Sequence, residues 1–384
     1  MSEDWESGGF GLYVHWPFCE SKCPYCDFNS HVASEISHSR WRKAYVNEIE
    51  RLASSLPDRR LDSIFFGGGT PSLMDPGTVR AVIDAARAHW QTDNRLEITL
   101  EANPASVDVG RFQDFSFAGV SRVSLGVQSL RDDALRLLGR RHSVAEALRA
   151  WDVANQIFER TSFDVIYARQ FQDVEDWSAE LRDVLALNPR HLSLYQLTIE
   201  EGTAFGDRYD RGKLPGLPTD DLGADMFDLT QEICDHAGLP GYETSNHAVP
   251  GEESRHNMIY WRYGDYLGIG PGAHGRLTIS GQRFAQTSPR NPMSWLSAVE
   301  THADSRMALD AIPLNEQSEE YLMMSLRLRE GCDLARLHRL SGAIATPEAV
   351  QRLQDDGLIW KENERIGTTA RGRPLLNGIL RALL

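Results

Sequence analysis

Gly11-Leu12-Tyr13-Val14-His15-Trp16, followed by Pro17-Phe18 and then Cys19-x3-Cys23-x2-Cys26, opens a pattern that repeats six times. A short β-branched and aromatic run that stops at a polar loop reads as a buried strand with reactive groups beyond its C-terminal end. From Ser39 to Leu56, Trp41, Tyr45, Ile49, Leu52 and Leu56 fall at i, i+4, i+8, i+11 and i+15, which is one face of a helix. Further strand-like runs follow at 61–68 (LDSIFFGG), 96–103 (LEITLEAN), 120–127 (VSRVSLGV), 162–168 (SFDVIYA) and 191–199 (HLSLYQLTI). Helical stretches separate them at Val79 to Trp90, Val109 to Ala118, Ala145 to Phe158 and Val174 to Leu187. Six βα units predict an α/β fold with a parallel sheet, and at ~30 residues each they suit an incomplete (β/α)6 barrel better than a closed eight-stranded one. Chemistry in such a fold belongs at the strand C-termini. The cysteines follow strand one, Gly67-Gly68-Gly69 follows strand two, Glu101 ends strand three and Gln128 ends strand four.

The chain has 384 residues, 41% hydrophobic and 25% charged, the balance of an ordinary globular protein rather than a disordered or fibrous one. Its 40 basic and 55 acidic residues leave a net charge of −15, so no nucleic-acid partner is expected. No apolar run approaches the ~18 residues of a membrane span, and the acidic start MSEDWESGG is unlike a secretory signal; a cytoplasmic location is the expectation. Five cysteines, three of them within eight positions, exclude a disulfide framework.

Past Thr203 the barrel pattern gives way to RGKLPGLPTDD, a loop or connection, and then to a helix from Asp220 to Ala237. His256 to Gly275 is rich in glycine and aromatics, without clean periodicity. Helices at Glu319 to Arg329, Leu334 to Leu340 and Pro347 to Asp356, the hairpin-like LIWKENERIGTTARG and a last helix predict a smaller C-terminal α+β, winged-helix-like region. The expected domains are 1–235 (partial barrel), 236–305 (the glycine- and aromatic-rich extension) and 306–384 (the C-terminal module).

Three thiolates in one loop can converge on one metal centre, because soft sulfur suits an iron–sulfur cluster or zinc. A structural zinc site takes four protein ligands, for which His15, Asp27 or His31 could supply the fourth. A cubane on three cysteines leaves one iron open. Gly67 to Pro71 lets backbone approach a ligand closely, with a plain tight turn as the alternative, and no Gly-Lys-Ser/Thr follows to make it a P-loop. Gly268 to His274 superficially suggests a dinucleotide fingerprint, but Arg276-Leu277-Thr278 continues as a strand and no βαβ unit opens there.

Cys-x3-Cys-x2-Cys on the first loop of a βα barrel resembles the signature of the radical S-adenosylmethionine superfamily. The resemblance implies a 4Fe–4S cluster on Cys19, Cys23 and Cys26, its open iron chelated by the amino and carboxylate groups of S-adenosylmethionine. It implies Gly68, Gly69 and Thr70 beside the methionine amino group, Glu101 on the ribose hydroxyls, and Gln128, Arg140 and Asp164 around the nucleoside. Tyr13 and Tyr25 match aromatic positions beside cluster and ligand, and the Gly268 to His274 loop matches one near the adenosyl group.

From about residue 10 to 384 the chain further resembles the oxygen-independent coproporphyrinogen oxidase family, through Tyr13 to Cys19, Gly67 to Pro71, Glu101 to Pro104 and Gly126-Val127-Gln128-Ser129. Phe28 stands where the oxidases carry a fourth cysteine, and 12 residues precede Tyr13 where they carry an extension of tens. Both departures argue against decarboxylation of coproporphyrinogen III. Phe28 and His256-Asn257-Met258-Ile259-Tyr260-Trp261 instead resemble the HemW-type haem chaperone subgroup, in which His-Asn-x-x-Tyr-Trp is associated with haem handling. Imidazole and phenolate both serve as axial ligands of haem iron, and Tyr and Trp rings offer faces to a porphyrin, so His256 and Tyr260 are the haem candidates, with His274, His247 and His15 in reserve. After strand five, Ala168-Arg169-Gln170-Phe171-Gln172 replaces the Gly-Leu-Pro-Gly-Gln of relatives. The function implied is binding of haem and its transfer to acceptor haemoproteins, some reached by peripheral contact with a membrane, with cluster and S-adenosylmethionine supporting or regulating assembly. The alternative is a radical oxidoreductase acting on a porphyrinogen, for which the sequence names no catalytic residue. A regulatory protein built on the C-terminal module is a third, weaker reading.

Overall fold

The computed structural model describes residues 3–33, 35–301, 308–340 and 344–384. The six strands read from the sequence are present as β1 (Phe10–Trp16), β2 (Ser63–Gly68), β3 (Glu97–Ala102), β4 (Arg122–Gln128), β5 (Arg160–Tyr167) and β6 (His191–Gln196), all parallel neighbours in that order. Helices α1 (His38–Ala53), α2 (Pro76–His89), α3 (Val109–Ala118), α4 (Val144–Ile157) and α5 (Val174–Ala186) connect them. The sequence places the second helix start at Val79; it lies at Pro76, where Asp75 caps the Thr78 amide and Pro76 needs no amide partner.

The extension does not stand apart from the barrel. After α6 (Asp220–His236), β7 (Asn246–Ala248) pairs antiparallel with β6, and after the short α7 (Arg255–Trp261), β8 (Asp265–Ile269) adds a seventh parallel strand on the far side of β1. From β8, β9 (His274–Ile279), β10 (Gln282–Thr287) and β11 (Ala308–Ala311) run on as an antiparallel meander. The domain boundary expected after residue 235 thus falls in the last turn of α6, and the one expected at 305/306 lies outside the described residues.

Outward residues of the strands, among them Leu12, Ile64, Leu100, Val123, Phe163 and Leu192, are fully buried against the helices. With α1 contributing Trp41, Tyr45 and Ile49, and Trp41 stacked on Trp295 at 5.3 Å, they form the main core. Each such large side chain removed from water contributes ~1.5–3 kcal/mol. The C-terminal region has its own core around Leu322, Leu337, Ile366 and Ile379. There the helices Leu314–Ser325, Leu334–Leu340 and Pro347–Asp355 precede the hairpin Ile359–Glu362/Arg365–Thr368, whose turn puts Asn363 at φ +52°. A last helix, Leu376–Leu383, closes the chain.

Where Gly-Leu-Pro-Gly-Gln was replaced after β5, Ala168 and Phe171 take positive φ themselves, at +53° and +63°. Buried Arg169 forks onto Glu180 of α5, whose carboxylate also accepts from Ser129 Oγ at 2.6 Å and the Leu130 amide at 2.8 Å. The ion pair holds the turn that glycine and proline would otherwise shape.

Candidate functional site

The two ends of the barrel carry different chemistry. At the C-terminal end, the loop from Cys19 to Ser30 is pinned where Phe18 and Cys19 pair with His31 and Val32. Its three thiols are free and half-buried and border one cavity of about 430 Å³. Thr70 Oγ1 donates to Cys19 Sγ at 3.3 Å and Arg140 Nη1 to Cys23 Sγ at 3.4 Å. Among the described residues, no three Cys, His, Asp or Glu groups are already gathered as a metal ion would require. Burial pushes the Cys19 and Cys26 thiols up, so they stand protonated until a metal centre displaces the protons. Three soft sulfur donors at one cavity mouth, with a hydroxyl and a guanidinium already turned to two of them, fit a three-cysteine cluster. Asp27 borders the same cavity, whereas His15 and His31 do not, and both ring nitrogens of His15 are engaged, by Tyr13 OH at 3.1 Å and Asn29 O at 2.9 Å.

The same cavity is bordered by Tyr25, Gly68, Gly69, Thr70, Glu101 and Gln128, and by Arg140 and Asp164. The structure therefore brings these residues together, whereas Tyr13 faces deeper into the barrel, and the Gly268 to His274 loop expected near the adenosyl group does not border this cavity, its Gly272 and His274 lining the deeper one with Tyr13. Gly68 sits at φ +108°, and a Cβ there would lie 2.6 Å from the His15 ring, so the glycine is required by the protein's own packing as well as by any ligand. Its amide donates to Glu101 Oε2 at 3.3 Å. Burial first, and the nearby Asp164 carboxylate second, raise Glu101 to about 8. Burial likewise raises Asp164 to about 6, partly offset by bonds from the Ser193 and Ser124 hydroxyls. At neutral pH Glu101 holds a proton without ligand. Gln128 adopts φ +71° where a bulge interrupts the β4–β5 register, which turns its side chain toward the cavity.

At the N-terminal end of the strands, α7 is tied beneath the barrel. Glu97, at the start of β3, accepts from the Arg255 amide at 2.8 Å, and Arg160, at the start of β5, donates to the Glu253 carbonyl at 2.9 Å. His256 enters between β1 and β2, its Nδ1 2.9 Å from Ser63 Oγ and its ring stacked on Phe65 at 4.9 Å and Tyr13 at 6.1 Å. His256, Asn257 and Tyr260 share one face of α7 and border a second, deeper cavity of about 660 Å³ inside the barrel. Trp261 does not join them. It packs among Tyr242, Ala248 and Leu328 with Arg327 over its ring at 4.6 Å, so the expectation that it offers a face to a porphyrin is corrected by helix geometry. Burial lowers His256 to about 3 and raises the Tyr260 phenol well above its ordinary value, leaving a neutral imidazole and a neutral phenol. Of the reserve histidines, His274 is exposed and borders the deep cavity, and buried His247 lies against Gln231 at 3.2 Å, away from it.

The two cavities meet at Asp27, Phe28, Gly68, Glu101, Asp164 and Tyr195. Tyr195 is 43% exposed, yet its phenol is raised well above the ordinary value, because the exposed part faces the cavity rather than bulk water. Strand rise over Ser63 to Gly68 separates the two ends by roughly 15 Å. The deep cavity's wall was missed by motif reading, though its signal is plain. Thr99 and Glu101, Arg122 and Ser124, Ser162 and Asp164, and His191 and Ser193 alternate with apolar residues, whereas parallel strands buried on both faces read as continuous apolar runs.

Residues 13–183 match the radical SAM superfamily model and residues 312–375 the HemN C-terminal domain model. The Escherichia coli K12 protein called heme chaperone HemW is 36% identical over 379 residues, covering 97% of each chain. The zebrafish Danio rerio protein called radical S-adenosyl methionine domain-containing protein 1, mitochondrial, is 36% identical over 387 residues, covering 97% of this chain and 86% of its own. In structure, the coproporphyrinogen III oxidase HemN of E. coli superposes with a TM-score of 0.80 over 98% of this chain and 92% of its own, at 21% identity, which establishes the shared fold. The fold is that of a radical SAM protein with a HemN-type C-terminal domain. Within that class the chain belongs to the family of the HemW heme chaperones and the mitochondrial radical SAM domain-containing protein 1. Among the described residues no helix is long and apolar enough to cross a membrane.

Proposed function

We propose that the chain binds haem in the deep barrel cavity and passes it to acceptor haemoproteins, while the cysteine loop holds a 4Fe–4S cluster with S-adenosylmethionine. The observation that carries this is His256: a neutral imidazole on the wall of a 660 Å³ cavity, flanked by Asn257 and Tyr260. That volume lies within the range of small-molecule and cofactor sites. With Nδ1 held by Ser63, Nε2 is the nitrogen left for iron, and a hydrogen-bonded partner on the other ring nitrogen is the usual support for a metal-bound histidine. Tyr260 supplies a ring edge rather than a phenolate. Acceptor haemoproteins and any peripheral membrane contact belong to this proposal.

A bound cluster with S-adenosylmethionine supplies one-electron reduction and access to radical chemistry. This chain's own residues arrange for it three sulfur donors, the Gly68 to Thr70 backbone and the Glu101 carboxyl. Because the deep cavity opens onto that site past Glu101, Asp164 and Tyr195, a radical enzyme acting on a porphyrinogen is the second reading. The test is transfer: haem-loaded protein is mixed with an apo-haemoprotein and the acceptor's absorption followed, beside an anaerobic assay for 5′-deoxyadenosine and for conversion of coproporphyrinogen III. Transfer without conversion supports the chaperone; conversion without haem binding puts the enzyme in front.

A further inference from the structure

The inner wall of the barrel has two chemically different halves. On β1 and β2 it is aromatic, with Tyr13 and Phe65 stacked with His256. On β3 to β6 it is polar, with Thr99, Arg122, Ser162 and His191. Thr99 Oγ1, His191 Nδ1 and, on β7 beside them, Asn246 Oδ1 are buried without a hydrogen-bond partner among the described residues, and all three residues border the cavity. An orphaned buried polar group is costly, so three of them around one cavity mark a place for groups the protein does not supply.

A hydrogen-bond chain fixes what His191 offers. Asn257 Nδ2 donates to Tyr242 OH at 3.3 Å, and that hydroxyl lies 3.0 Å from His191 Nε2. The hydroxyl accepts from Asn257 and from the Ser254 backbone, which leaves its own proton for Nε2, and a neutral imidazole that accepts at Nε2 carries its proton on Nδ1. Burial, then the charge of Arg122, keeps His191 neutral. Arg122 is the loosely held member of its ion-pair group. Arg160 binds Glu97 tightly and Glu252 at 2.9 Å, whereas Arg122 Nη1 reaches Glu97 Oε2 and the Glu252 carbonyl only at 3.4 Å each.

We propose that the polar half is a carboxylate-recognition subsite, in which Arg122, His191 Nδ1–H and the Thr99 hydroxyl hold a carboxylate on the edge of a flat ligand whose centre is met by His256 Nε2 from the aromatic half. Asn246 Oδ1, an acceptor, takes a water that also donates to the carboxylate. The proposal rests on the haem assignment and deepens it. It sets the two propionates toward β3 to β6 and makes Asn257 a positioning residue that fixes the His191 tautomer.

The test titrates the full chain, at the Soret band, with haem and with haem dimethyl ester, whose propionates are capped. Wild type binds haem about 10- to 100-fold more tightly than the diester, as expected for charge-assisted bonds. Arg122→Gln and Tyr242→Phe each bring that ratio toward one without moving the Soret maximum. Thermal melts report whether each variant folds, and Tyr242→Phe, which loses only a hydroxyl, carries the test if Arg122→Gln does not. Equal wild-type affinity for the two porphyrins overturns the subsite and leaves the haem assignment standing. A wild-type preference that neither folded variant reduces also overturns the subsite, and binding of neither porphyrin overturns the haem assignment itself and the subsite with it.

Discussion

The cysteine end of the barrel gathers its donors within one loop, whereas the α7 end gathers residues far apart in the sequence. At the first, three half-buried thiols lie between Cys19 and Cys26 at one cavity mouth, beside Glu101, which burial raises to about 8. At the second, His256 is buried, stacked on two rings and hydrogen-bonded through Nδ1. One end is a single loop, and the other is held by the packing of α7 against the strands. The two should therefore fail independently.

The largest expected effect breaks the first end alone. Cys19→Ala, Cys23→Ala or Cys26→Ala abolishes the visible absorption of an anaerobically reconstituted 4Fe–4S cluster and leaves haem binding in place. Stoichiometric zinc with no iron or sulfide in the wild type contradicts the cluster. Cys234→Ala leaves the cluster intact, since Cys234 lies on the buried face of α6, in the core. Next in size, Glu101→Ala weakens S-adenosylmethionine binding by ~5- to 150-fold, the worth of ~1–3 kcal/mol of hydrogen bonding, without removing the cluster. An unchanged dissociation constant by calorimetry moves Glu101 out of the site.

A smaller effect sharpens the contrast in the ligand-free protein. Glu101 is raised from 4.5 to about 8 in the fold, so between those values the native state holds a proton the unfolded chain has released, and stability falls as pH rises. Glu101→Gln removes that loss, and its melting temperature gains on the wild type as pH goes from 4.5 to 8. A constant gap across that range contradicts the assignment. His256, lowered to about 3, has the opposite sign: the unfolded imidazole takes up a proton below about 6.5 and the native one does not, so its contribution is lost as pH falls from 6.5 toward 3.

The strands, their order and the cysteine end were legible in the sequence because each rests on local signals: β-branched runs, helical periodicity and ligands within one loop. The α7 end was not, because its geometry is non-local. Glu97 and Arg160 hold α7 from residues about 160 and 90 positions away, and nothing near His256 announces that it enters beneath Ser63. Strand β8 escaped notice for the same reason, being a short run in a glycine-rich region defined by its partner β1. Tyr13 was grouped with the cluster by its place in the motif, yet the two-residue alternation of β1 turns it with His15 into the deep cavity.

The claim that haem belongs to the α7 end is tested most directly by one titration, followed at the Soret band, of wild type and His256→Ala prepared anaerobically, with iron–sulfur content assayed in the same samples. The account predicts that His256→Ala shifts the Soret maximum and weakens haem retention while iron–sulfur content stays unchanged, and that Tyr260→Phe is nearly silent. A His256→Ala spectrum and affinity identical to wild type, or wild type that binds no more haem than a non-specific carrier, would contradict it.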